Sequence, residues 1–68
     1  MMPPKFPLKA RVLHIKTGRI YEIVGSPEEF RLEAHNAPAY AYKGDDGLVW
    51  VRNQAEMEDG RFAEIPRN

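Results

Sequence analysis

His14 and His35 are the only imidazoles in this 68-residue chain, and they stand far apart with no cysteine to join them. A transition-metal site needs three or four nitrogen, sulfur or carboxylate ligands converging on one point, and this pair supplies no such set. His14 falls between Leu13 and Ile15, where a strand histidine is the simpler reading. Asp45-Asp46-Gly47 offers oxygens of the calcium type. It lacks the alternating ligands and closing glutamate of an EF-hand loop, and a hairpin turn explains it fully. The hydroxyls outside tyrosine are Thr17 and Ser26, each with a turn or cap role at hand. Glu28/Glu29 and Glu56/Glu58 are paired carboxylates in polar surroundings, where nothing lifts a carboxyl toward the range of a general acid. The five glycines are scattered along the chain at turns, so no glycine-rich loop cradles a phosphate. These features predict a protein that is not an enzyme, with no catalytic residue, no metal and no cofactor.

What remains is recognition. Tyr40 and Tyr42 lie in one apolar run, Trp50 and Arg52 in the next, and the turn between them should set the two runs side by side. Alternation puts the tyrosines on one face, and Trp50 with Arg52 on one face. If those faces coincide and meet solvent, aromatics beside an arginine make a partner-anchoring patch. The competing reading puts Trp50 in the core with the tyrosines half-buried at its edge.

A second candidate surface is electrostatic. Residues 1–19 hold Lys5, Lys9, Arg11, Lys16 and Arg19 with no acid, while the remainder holds five bases and all ten acids, for a net charge of zero. The bland reading is internal pairing of the two halves. The sharper one has Lys9, Arg11, Lys16 and Arg19 facing an acidic partner or a nucleic acid.

The elements that must position these residues read mainly as strands. Residues 8–15 are rich in strand formers and lead into Lys16-Thr17-Gly18-Arg19, a hairpin turn with glycine supplying the positive φ. Residues 20–24 form the return strand. Residues 26–38 are ambiguous: Ser26-Pro27-Glu28-Glu29 suits either a capped helix start or a type I turn, and Phe30–His35 alternates as a strand does. The extended reading is preferred, a short helix within 26–38 is the alternative, and Pro38 ends the segment in both. Residues 39–43, the turn Gly44–Gly47, and residues 48–52 make a second hairpin. The unbroken run Leu48-Val49-Trp50-Val51 predicts a central strand buried on both sides. After the turn at Asp59-Gly60, residues 61–65 form a last strand stopped by Pro66.

Five or six short strands in so short a chain predict a strongly curved antiparallel sheet closing on itself. Its expected core is Val12, Ile15, Tyr21, Ile23, Val24, Leu48, Trp50, Val51, Met57, Phe62 and Ile65. Residues 1–7, with three prolines, read as an extended tail. Residues 8–66 form the single domain, and 67–68 a C-terminal tail. A chain this short buries only ~60% of its unfolded surface, and without disulfides its margin of stability is thin. No segment resembles a secretory signal or could span a bilayer, so the cytoplasm is the expected compartment.

The series Gly18-x-x-Tyr21-Glu22-Ile23-Val24-Gly25, Tyr42-Lys43, Asp46-Gly47-x-x-Trp50-Val51-Arg52, Glu56-Met57 and Asp59-Gly60-Arg61-Phe62 resembles a family of small bacterial and phage proteins known as domain of unknown function 1653. The resemblance runs over roughly residues 11–65. It departs at Asn53, where that family usually has proline, and over 26–38. It implies an SH3-like partial barrel and transfers no catalytic residues.

The leading functional expectation is an interaction module that docks a protein partner, in phage a small accessory protein acting on a host factor. The alternatives are a nucleic-acid-binding small β-barrel using the basic N-terminal hairpin and strand aromatics, and a structural or oligomerising unit. The oligomeric state is left open.

Overall fold

The computed structural model describes residues 3–66. Six antiparallel strands make up one sheet. The first hairpin joins β1 (Arg11–His14) to β2 (Arg19–Gly25). Its turn is closed by the Gly18 amide donating to the His14 carbonyl at 2.8 Å, with Gly18 at φ +77°, as the sequence predicts. The Thr17 hydroxyl takes the turn role expected of it, bonding the His14 ring at 2.8 Å and accepting from the Arg19 amide at 3.3 Å. The strand predicted from residue 8 begins only at Arg11, because Lys9 is left-handed at φ +71°.

The ambiguous segment is a turn followed by a short strand, β3 (Arg31–Leu32). The Ser26 hydroxyl accepts from the Glu28 amide, and the Ser26 carbonyl from the amides of Glu29 and Phe30. The only helical piece within 26–38 is a 3-10 turn, Ala34–Asn36. Pro38 does not end this region: it lies inside β4 (Ala37–Lys43), which starts two residues earlier than residues 39–43 suggest.

β4 is the hub. It pairs with β2, with β3 and with β5 (Val49–Asn53). β6 (Phe62–Glu64) pairs with β1, giving the order β3-β4-β2-β1-β6 with β5 branching from β4. The expected closure does not occur: β3 ends the sheet at β4, and β5 and β6 are left as separate edges. The gap between them is spanned by a helical turn, α1 (Gln54–Glu56), which runs into a wide turn over Met57–Arg61. Asn53 caps that turn, its side-chain oxygen accepting from the Glu56 amide at 2.8 Å.

The core sits on one face of the sheet, made of Phe6, Val12, Ile23, Tyr40, Tyr42, Met57 and Phe62, with Tyr21 and Ala10 against it. Tyr42 packs edge-on against Tyr21 and Phe62, with ring centroids 5.1 and 5.5 Å away. Four of the expected core positions, Val12, Ile23, Met57 and Phe62, are buried; Tyr21 and Ile65 are half-buried. Ile15, Val24, Leu48, Trp50 and Val51 are not core: each keeps 41–57% of its surface exposed. The run 48–51 was expected at the centre of the sheet, yet β5 pairs with β4 alone, and no other described strand lies along its far edge. The N-terminal segment is more than a tail, since Phe6 within it is 1% exposed and fills the core.

Candidate functional site

The second hairpin is built as its sequence predicts. Gly47 turns at φ +83°, the Asp46 carboxylate accepts from the Leu48 amide at 3.0 Å, and the Gly44 amide donates to the Leu48 carbonyl at 3.1 Å. Its ladder runs without a break from Lys43 opposite Val49 to Ala39 opposite Asn53. Tyr42 stands opposite Trp50 and Tyr40 opposite Arg52, so all four side chains do share a face. That face is the core side, however. Tyr40 is 0% exposed and Tyr42 6%, which removes both from any partner-anchoring patch. Trp50 is half exposed, and Arg52 donates through Nε to the Tyr42 hydroxyl at 3.4 Å while pairing with Glu56 at 3.4 Å. That bond to Tyr42 leads in raising the Arg52 pKa, against an opposing effect of burial.

Hydrogen-bond alternation fixes which backbone groups of β5 are free. The bond from Gly44 to Leu48 marks the hydrogen-bonded type of pair. Two and four residues on, Trp50 with Tyr42 and Arg52 with Tyr40 are of that type. The N–H and C=O groups of Val49 and Val51 therefore point away from β4, along an edge that no other described strand occupies. Side chains on both faces of this edge are apolar and open to solvent: Leu48 56%, Val49 53%, Trp50 50% and Val51 48% exposed. Sequence reasoning picked Trp50 but missed Leu48, Val49 and Val51 as surface residues. The signal was the same apolar run, which fits a doubly covered strand and a docking edge equally well.

The basic residues are brought together only in part. Lys9, Arg11 and Arg19 line one open groove with Lys43, but Glu22, Asp45 and Glu64 line it too. On the outer face Arg11 lies opposite Glu22, and Glu22 opposite Lys43, so positive and negative side chains alternate across three strands. Lys16 lies apart, in a second groove with His14, Arg52 and Arg61. Arg61 is paired with Glu56 and Asp59 at 3.6 and 3.1 Å.

A part-buried polar cluster escaped sequence reasoning altogether. The Tyr40 hydroxyl donates to Glu58 and accepts from the Phe6 amide at 3.1 Å. The same Glu58 oxygen also accepts from the Lys5 amide at 2.9 Å and from Gln54 Nε2 at 3.1 Å. Burial above all, and then the bond to Glu58, push Tyr40 up to about 12. Burial is also the largest influence on Glu58 and acts to raise it. The bonds from Tyr40, Lys5 and Gln54 together outweigh it and hold the carboxyl below its ordinary range. A carboxylate held ionised by three donors is a poor general acid, and its geometry is that of a clamp fastening the N-terminal segment to β4. The one weak hint in the sequence was the i, i+4 spacing of Gln54 and Glu58.

Among the described residues no group of three or more His, Asp or Glu side chains is placed to hold a metal ion. No helix among them is long and apolar enough to cross a membrane. No protein-family model, curated protein or solved structure matches this chain.

Proposed function

We propose that this chain is a non-catalytic interaction module that takes a protein partner by strand addition at β5. The observation that carries the reading is the state of that edge. Val49 and Val51 present unused backbone donors and acceptors, and four consecutive apolar side chains flank them half exposed. Native sheets blunt such edges with lysine, proline, bulges or covering loops, and residues 48–51 carry none of these. An added strand gains affinity from main-chain bonds and selectivity from side chains on alternate sides, Leu48 and Trp50 on one and Val49 and Val51 on the other.

Selection from a randomised peptide library tests this, with binding mapped by amide chemical shifts. The expected binders are extended apolar peptides that shift and protect the Val49 and Val51 amides. Val51→Pro should abolish their binding with the fold intact, because that amide lies outside the β4 ladder. Binders that map to the Lys9–Arg19 groove, or a library yielding none, would overturn the proposal. Fluorescent oligonucleotides titrated at low salt should give no saturable signal, because acids interrupt the basic groove.

A further inference from the structure

We infer that the partner of the β5 edge is a second copy of this chain, its β5 antiparallel to the first across a two-fold axis at Trp50. This inference rests on the strand-addition reading and names its occupant. The outward-facing backbone groups belong to Val49 and Val51, and pairing each Val49 with Val51 of the other copy uses all of them. In that register Trp50 meets Trp50 as a non-hydrogen-bonded pair, the type in which opposing side chains come closest. Leu48 then lies opposite Arg52 of the second copy, whose alkyl stem offers apolar surface. Every half-exposed apolar side chain of the edge gains an apolar neighbour.

Charge selects the same orientation. β5 is flanked by Asp45 and Asp46 at one end and carries Arg52 at the other. Antiparallel pairing brings Arg52 of each copy toward the acidic turn of its neighbour, and symmetry does this twice. A parallel arrangement would set arginine beside arginine and aspartate beside aspartate. The opposite end of the sheet shows how an edge is protected: β6 is three residues long, with Arg61 before it and Glu64 and Pro66 at its end. β5 has five residues and a continuous register, and its charged neighbours stand at its ends, leaving Val49–Val51 without such a guard.

Sedimentation equilibrium over a wide concentration range tests the inference, alongside emission from the chain's single tryptophan. The expected result is a monomer–dimer equilibrium with Trp50 emission moving to the blue, and acrylamide quenching falling, as dimer forms. Val51→Pro should weaken association by about a hundredfold or more, since two main-chain bonds are lost and two rings intrude on the seam. Its circular dichroism should match the parent at low concentration. The amides of Val49 and Val51 should also gain hydrogen-exchange protection with rising protein concentration, which keeps the test decisive if Val51→Pro fails to fold. A monomer at all concentrations, or a dimer that leaves those two amides unprotected, would overturn self-pairing. If the monomer still protects Val49 and Val51 when a selected peptide is added, strand addition stands and only the second copy is lost; if neither occurs, both readings fall.

Discussion

β4 and β5 are neighbours joined by a tight turn, and their environments are opposite. The more apolar of the two is the more exposed. Ala39, Tyr40, Ala41 and Tyr42 are all nearly inaccessible, whereas Leu48, Val49, Trp50 and Val51 each keep about half their surface in water. The difference lies in what surrounds each strand. β4 has strands on both edges, the core on one face, and the Phe30 ring on the other, packed so closely that a Cβ at Gly25 would come within 2.4 Å of it. β5 pairs with β4 alone, approaches β3 and Phe62 besides, and has no described strand along its outer edge. Burial here follows from place in the sheet, and hydropathy alone misjudges it.

The largest expected effect sets the buried side of this contrast. Phe6→Ala removes a ring that is 1% exposed and packs 5.7 Å from Tyr40. Emptying such a site costs about 3–5 kcal/mol. A domain this small has roughly that much stability in total, so the variant should lose its cooperative thermal transition by circular dichroism. A normal melt would show that the N-terminal segment is dispensable, and the contrast would lose one of its supports.

Tyr40→Phe comes next. It keeps the ring and removes one hydroxyl, leaving the Phe6 amide without its acceptor and Glu58 without one of its donors. Stranding the buried Phe6 amide costs about 1–3 kcal/mol, to be read from urea denaturation. The clamp also makes stability depend on pH at both extremes. Glu58 has a depressed pKa in the folded chain, so its contribution is present above the unfolded carboxyl value and is lost as pH falls through the folded one. Tyr40 is the reverse case: its contribution is full below the unfolded tyrosine value and is lost as pH rises toward about 12. Glu58→Gln should flatten the acid limb of the stability profile, and Tyr40→Phe the alkaline limb.

These predictions also mark where the sequence was readable. Glycine turns and β-branched runs placed the two hairpins and the last strand within a few residues, because turn chemistry is local. Asn53, Ser26 and Thr17 make the short-range bonds their types favour. Phe6 and the Tyr40–Glu58 clamp were not legible: their partners lie 34 and 18 residues away, and no periodicity spans such distances. The basic residues could be counted from sequence, but only the ladder shows that acids interleave with them. Trp50 was ambiguous for a physical reason. An apolar run records a need to be covered, without saying whether the covering comes from the same chain.

The smallest expected effect on folding is therefore the most informative about β5. Trp50→Ser leaves the β4–β5 ladder in place and removes a side chain already half in water. Full burial of such a side chain is worth about 1.5–3 kcal/mol, so a half-covered one should cost about 1 kcal/mol when measured by urea denaturation of dilute protein. A core tryptophan would cost several times more. The two effects diverge with concentration. If β5 is covered by another chain, the penalty should grow as protein concentration rises, because the parent gains stability by mass action and the variant does not. A penalty that is large and independent of concentration would mean that Trp50 is stabilised within its own chain, and the distinction between the covered strand and the open one would no longer hold.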